Sequence, residues 1–353
     1  MLHLINSIIG CKFYKKFGFP KVLPSILTFS INDCCNSRCK TCNIWKNNPK
    51  KKMKEQLNID EIKKIFSNFK RLYWITITGG EPFMRNDLDE VIKAIYDESK
   101  PKLITIATNG MATQRIVSWT KEILGYCKNL DLVINISLDG IGEQHDKIRG
   151  VKGNFDLAIK TLIKLKKLNH PRLTVGVNTV ISRYNVAEFP KIYTYIKNNF
   201  NPDDYIAEIA ENRAKLGNMK LKITPDKKKY LKALLFLINS LENEKQKKKI
   251  SKIVRTLRIE FYKYLMQQYP LENFEGIASA YIMFNGEVWV SYSKRFIVGN
   301  LREVNYDFGK LWFNEKANEF RMIMEKKYST MLANAFYVNF IYNPKNVFKL
   351  FIS

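Results

Sequence analysis

Histidine and cysteine are both scarce in this chain of 353 residues. There are three histidines, His3, His145 and His170, and six cysteines. No cysteine follows Cys127. Acidic residues are few as well, 33 against 59 lysines and arginines, for a formal net charge of +26. No apolar run approaches the roughly 18 residues of a membrane helix. The opening stretch, MLHLINSIIG, has no basic n-region and no small-residue cleavage site after a long apolar run, so no signal peptide is expected. These absences predict a cytoplasmic protein. They exclude a disulfide framework, which wants dispersed cysteines and an oxidising compartment. They disfavour structural zinc, which wants paired C-x-x-C units or added histidines, because no histidine lies near the clustered cysteines. Homeodomain, zinc-finger and RNP-type patterns are missing too.

What is present begins with size and apolarity. At 46% hydrophobic residues the chain can bury a core, as one large domain or one domain with a smaller companion. The charge is mostly lysine, in part a matter of genome composition. A basic surface attracts nucleic acid, anionic lipid or an acidic substrate. Its densest run, KQKKKISK (Lys245–Lys252), reads as a solvated helix face. Against this background the stretch CCNSRCKTC concentrates four of the six cysteines between Cys34 and Cys42. Cys35, Cys39 and Cys42 have C-x3-C-x2-C spacing, and Cys34 falls outside it as a neighbour. Three thiolates leave one iron of a cubane cluster without a protein ligand, and an open iron is a place for chemistry.

The cysteines follow a strand-like segment, SILTFSI (Ser25–Ile31). RLYWITITGGEP is an apolar strand ending in Gly79, Gly80, Glu81 and Pro82. KLITIATNG ends in Thr108, Asn109 and Gly110. DLVINISLDG ends in Ser137, Leu138, Asp139 and Gly140. Arg172–Ile181 and Asp204–Arg213 read as two more strands. Between them lie helical patterns at Ile59–Phe69, Asp87–Tyr96, Ala112–Cys127, Phe155–Leu168 and Val186–Asn199, with apolar residues at three- and four-residue spacing. Asp60 and Asp87 sit where first-turn acids belong. Repeated β–α units predict a parallel sheet wrapped by helices. Six of them make an α/β fold of the partial (β/α)6, TIM-like barrel kind, with the polar and glycine-rich motifs at the strand C-terminal ends, the catalytic face of such barrels.

With CNSRCKTC, GGEP, TNG, SLDG and HDKIRG in that order, the chain resembles the radical S-adenosylmethionine (SAM) superfamily over residues 20–220, and more weakly to about 345. The resemblance implies one [4Fe–4S] cluster held by Cys35, Cys39 and Cys42, with SAM chelating the fourth iron. It implies reductive cleavage of SAM to a 5′-deoxyadenosyl radical that abstracts hydrogen from a substrate, an oxidoreductase chemistry fed by an electron donor such as ferredoxin or flavodoxin. Gly79 and Gly80 would let backbone approach the methionine end of SAM. Glu81 would accept from its ammonium, and Arg149 would face its carboxylate. Thr108 and Ser137 offer hydroxyls to SAM, Asp139 braces the loop or meets the ribose, and Asn178 with Thr179 lines the adenine side. Thr41 stands where the superfamily often has an aromatic residue, so packing over the adenine must come from elsewhere. Asp139–Gly140 is also an ordinary turn pair. His145 and Asp146 read as loop braces. Glu208, Glu211 and Arg213 read equally as an ion-pair set or a substrate-facing set.

The second half reads as two amphipathic helices over 225–268, then a hairpin, AYIMFNGEVWV, turning at Asn285–Gly286, then a helix from Tyr306 to about Lys326. NGEVW, GNLRE and KLWFNEKANEFR resemble the SPASM or twitch extension of peptide-modifying radical SAM enzymes. That extension binds auxiliary clusters through cysteines near Asn273, Ser291–Tyr292 and Tyr328–Thr330, and here other residues fill those places. The expected organisation is an N-terminal segment (1–24), the barrel (25–220), a helical connector (221–270), a degenerate α+β extension (271–345) without an auxiliary cluster, and a tail (346–353). The tail and the first twenty residues are basic and apolar, and read either as packing elements or as weak membrane-surface contacts. The function expected is a radical SAM enzyme acting on an unknown substrate, with a peptide in view. The alternatives are a non-catalytic peptide-binding scaffold or an enzyme acting on lipid or RNA, although the chain has no nucleic-acid motif.

Overall fold

The computed structural model describes residues 2–244, 249–291, 294–324, 332–343 and 346. The lysine run at 245–248, the replaced cysteine positions Tyr292 and Tyr328–Thr330, and the tail beyond 346 lie outside the described residues.

Helix α1 (Leu2–Phe17) precedes strand β1 (Ile26–Ser30). After the cysteine loop come α2 (Pro49–Glu55) and α3 (Ile59–Phe66), and then β2 (Trp74–Thr78), α4 (Leu88–Ser99), β3 (Leu103–Thr108) and α5 (Thr113–Tyr126). The alternation continues through β4 (Asp131–Ser137), α6 (Glu143–Arg149), α7 (Asn154–Lys166), β5 (Leu173–Ile181), α8 (Phe189–Phe200) and β6 (Asp204–Ile209). These six strands pair in chain order, all parallel. Burial alternates along them: Ile75, Ile77, Ile104, Ile106, Leu132, Ile134, Val175 and Val177 lie under the helices. The intervening positions, among them Thr76, Thr105, Val133 and Asn178, are less buried and share the inner face. Helix starts follow their chemistry. Asn58 caps α3 in a reciprocal box with Glu61. Asp87 precedes α4 without capping it, because its carboxylate binds the Arg85 guanidinium, Nε to Oδ1 2.7 Å.

Beyond the barrel come α9 (Lys227–Glu242), α10 (Lys249–Gln267), β7 (Ser279–Ile282), β8 (Glu287–Ser291), β9 (Phe296–Asn300), α11 (Phe308–Trp312), α12 (Glu315–Met324) and α13 (Ala333–Ile341). The expected hairpin forms, with Tyr281 opposite Trp289 and Gly286 at φ +89°. Its other edge is the unexpected feature. β7 lies parallel to β1, so the extension continues the barrel sheet to nine strands in the order β6-β5-β4-β3-β2-β1-β7-β8-β9. The single helix expected from Tyr306 is two, because Asn314 breaks the run and caps α12, its Oδ1 accepting from Ala317 N at 2.9 Å. Helix α13 is buried on every side and lies across the inner face. Asn334 Nδ2 reaches Thr76 Oγ1 at 3.5 Å, Ala333 N reaches Glu208 Oε1 at 3.4 Å, and the Tyr337 ring lies 6.3 Å from Trp74. Arg258 of α10, paired with Asp204 at 2.9 Å, bonds the Tyr337 hydroxyl behind it.

Candidate functional site

The cysteine loop leaves the C-terminal end of β1 and is clamped on three sides. The first clamp is the turn after β2. Glu81 N donates to the Cys34 carbonyl at 2.8 Å, Gly80 N to Asn32 Oδ1 at 3.0 Å, and Asn32 Nδ2 to the Glu81 carbonyl at 2.7 Å. A Cβ on Gly80 would stand 1.9 Å from the Cys34 carbonyl oxygen, and one on Gly79, at φ +135°, 2.3 Å from that of Asn32. The missing side chains therefore let two loops touch. The second clamp is the end of α6, where Arg38 N and Lys40 N each donate at 2.9 Å to the carbonyls of Arg149 and Ile148. The third follows β6: Asn43 N donates to Leu216 O at 2.8 Å, Asn218 Nδ2 to Thr41 O at 2.8 Å, and Lys215 pairs with buried Asp33 at 2.7 Å.

Glu81 joins the first clamp to the turn after β3. Its carboxylate accepts from Thr108 Oγ1 at 2.7 Å, Asn109 N at 2.7 Å and Phe83 N at 3.2 Å. Burial pushes its carboxyl above the usual range, and those donors pull it back. Glu81 and Thr108, expected as separate contacts to one ligand, are thus bonded to each other. Asn109 Nδ2 in turn donates to Asn36 Oδ1 at 2.7 Å and Ser37 Oγ at 3.1 Å inside the cysteine loop.

A second buried chain runs behind the loop. Asn154 Nδ2 donates to the Asn109 carbonyl at 3.1 Å, and its Oδ1 meets His145 Nε2 at 3.2 Å. His145 Nδ1 accepts from Asp139 N at 3.1 Å, which fixes the neutral tautomer with its proton on Nε2. Asp139 lies 2.7 Å from Arg149 Nε and takes Val180 N on its other oxygen at 2.8 Å. Arg149 Nη1 ends the chain 3.8 Å from Cys39 Sγ. Asp139 is therefore a brace, as is His145. Burial and the nearby Arg149 lower the His145 pKa from 6.5 to about 4. The unfolded chain takes up this proton below 6.5 and the folded one only near 4, so stability is untouched above 6.5 and falls between those limits by about 3 kcal/mol. Thermal unfolding across that window should show the fall, and His145→Gln should flatten it. An unchanged slope in the variant would contradict the assignment.

Cys35, Cys39 and Cys42 are half-buried, whereas Cys34 is buried beside Pro49. Burial pushes the Cys35 thiol up to about 12 and the Cys42 thiol up to about 11, and it outweighs Arg149 at Cys39, which is also raised. Thiols so placed ionise only when a cation compensates them. Among the described residues, no three His, Cys, Asp or Glu side chains converge on a single ion. A four-iron cluster differs, because each thiolate binds its own iron and the sulfurs stand further apart. Two further atoms suit a ligand over the loop. Asn178 Oδ1 is buried without a hydrogen-bond partner, and in the strand register it lies opposite Ser137, which is half-buried at the end of β4. The donor set and this orphaned oxygen fit a cluster with a bound small molecule.

All the candidate residues gather at the strand C-terminal ends, and there the Glu208 group divides. Glu211 and Arg213 form an ion pair at 2.6 Å, and Glu208 faces α13. Thr179 is buried and donates to the Leu138 carbonyl at 2.6 Å, so Asn178 alone of that pair is open to a ligand. Asn154, Asn218 and Lys215 belong to the site without any sequence signal, and Asn36 was legible only as part of CNSRCKTC. Asn109 was legible only as the middle of TNG.

Residues 29–196 match the model of the Radical SAM superfamily. The chain is 30% identical over 183 residues to Fe-coproporphyrin III synthase of Methanosarcina barkeri, covering 51% of this chain and 42% of that protein. It is 27% identical over 173 residues to GTP 3′,8-cyclase of Haemophilus ducreyi, covering 48% and 49%. The chain thus spans about half the length of the curated relatives it matches. The fold is that of SuiB from Streptococcus suis, solved with S-adenosylmethionine, at TM-score 0.61 and 15% identity over 90% of this chain and 72% of that one.

Proposed function

We propose that the chain, whose residues 29–196 match the Radical SAM superfamily, cleaves SAM reductively at a [4Fe–4S] cluster held by Cys35, Cys39 and Cys42, and modifies a peptide. The observation that carries this reading is the set of three half-buried thiols on one loop, clamped from three sides, with a guanidinium 3.8 Å from the middle one. When bound, the cluster and SAM supply a 5′-deoxyadenosyl radical for hydrogen abstraction. The chain supplies placement. Glu81 and Thr108 lock the Gly79–Gly80 turn onto the loop. Asp139 keeps the Arg149 guanidinium aimed at the cysteines. Ser137 and Asn178 present polar atoms to SAM from adjacent strands. A peptide substrate is supported by the likeness to SuiB, itself solved with its precursor peptide SuiA. Ferredoxin or flavodoxin is the electron donor by the same family logic. The extension has no cysteine, so we place one cluster in the chain, and reconstituted protein should hold about four irons.

The test is anaerobic. Protein reconstituted with iron and sulfide, given SAM and a strong reductant, should release 5′-deoxyadenosine, and Cys39→Ala should release none. Retained cleavage by the variant would remove the ligand assignment.

A further inference from the structure

Helix α1 has two apolar faces. One holds it to the body: Ile8, Cys11 and Tyr14 are buried, and Ser7 bonds Ser25 at 3.2 Å and the Tyr342 hydroxyl at 2.9 Å. The other faces solvent. Ile5, Ile9, Phe13 and Phe17 recur every fourth residue and are 45%, 50%, 52% and 62% exposed; Phe19, past the helix end, is 73% exposed. The Phe13 and Phe17 rings lie 5.7 Å apart. Single exposed apolar residues are ordinary, but a ridge of four along one helix is not. α1 contains no acidic residue; Lys12 and Lys15 turn to the body and pair with Glu272, whereas Lys16 and Lys21 are exposed. Lys16 already lies over the Phe17 ring at 5.0 Å.

We propose that this ridge docks on the surface of an anionic lipid bilayer. Its apolar side chains enter the boundary between headgroups and acyl chains, and Lys16 and Lys21 reach the lipid phosphates. Charge selects this occupant over a second copy, because ridge-to-ridge pairing would bring Lys16 and Lys21 of two chains together, each chain of net charge +26. Position makes docking compatible with a working site. Ser7 bonds Ser25, which precedes β1, whereas the cysteine loop follows the far end of that strand. Ser7 of α1 therefore lies a strand length, roughly 17 Å, from the level of the cysteines.

The experiment is flotation of the full chain with vesicles of phosphatidylcholine alone or mixed with phosphatidylglycerol. Binding is expected to the mixed vesicles, weakening as salt is raised. Phe13→Ser with Phe17→Ser should weaken it by roughly tenfold or more, and Lys16→Gln with Lys21→Gln severalfold. These side chains are exposed, so thermal unfolding should be unchanged in both variants. Three outcomes would overturn the proposal. One is no binding to either vesicle. Another is equal binding by the phenylalanine variant, which would leave only diffuse charge. The third is a solution dimer dispersed by the same phenylalanine substitutions, which would give the ridge to a second copy.

Discussion

Gly80→Ala is expected to empty the cluster site while leaving the barrel folded. The added Cβ would lie 1.9 Å from the Cys34 carbonyl oxygen, 2.4 Å from its carbon and 2.9 Å from its nitrogen. All three are backbone atoms, so no rotamer change relieves the overlap. The turn after β2 and the cysteine loop must separate, which stretches the bond from Glu81 N to the Cys34 carbonyl. Overpacking of this kind costs about 3 kcal/mol. The strain falls on the loop that carries Cys35, Cys39 and Cys42, not on the strands. Iron retained after reconstitution should drop toward the level of Cys39→Ala, and the barrel should still unfold cooperatively. Gly125→Ala is the control. It sits in α5 with nothing within 4 Å, and alanine there should be neutral or stabilising by up to about 1 kcal/mol. Normal iron content in Gly80→Ala would mean that the two loops do not depend on their contact.

How much of this was legible in the sequence follows from what each signal encodes. The six barrel strands could be read because each joins an apolar run to a polar or glycine-rich end. That Cys35, Cys39 and Cys42 share one loop could be read from their spacing. The partner of β7 could not: AYIMFNGEVWV announces β7 and β8 as a hairpin, but nothing local says that Ser279 lies beside Ile26. α1 was illegible as a helix because its apolar residues cover two faces, Ile8 and Tyr14 inward, Ile9 and Phe13 outward, and the period blurs. Asn154 shows a third kind of loss. An asparagine opening a helix looks like a surface residue, yet it is fully buried and links His145 to the Asn109 carbonyl. Its importance comes from joining a residue nine positions away to one 45 away, and no spacing rule carries that.

The same contrast explains why a motif glutamate does more than its expected role. Glu81→Ala should be among the most damaging single changes in the chain. Glu81 is 3% exposed, and it accepts from Thr108, Asn109 N and Phe83 N. Alanine leaves two backbone N–H groups and a hydroxyl buried around a small void. Each unmet donor costs about 1–3 kcal/mol, so a loss of about 4 kcal/mol is expected. The Thr108 hydroxyl can rotate, but Asn109 N and Phe83 N have fixed directions. Glu81→Gln separates packing from charge. It preserves volume and one carbonyl oxygen, but its amide nitrogen must face a donor, Asn109 N or Phe83 N, whichever way it turns. It should therefore fall between wild type and alanine, by about 2 kcal/mol. Urea unfolding of the three proteins measures the order. Because Asn109 also holds Asn36 and Ser37, both variants should loosen the cysteine loop, and SAM affinity should fall with stability in the same sequence. If Glu81→Gln matched wild type in stability but lost SAM binding, the carboxylate would be acting on the ligand directly. Parallel losses would identify it as the pin that holds the turns after β2 and β3 around the cysteines.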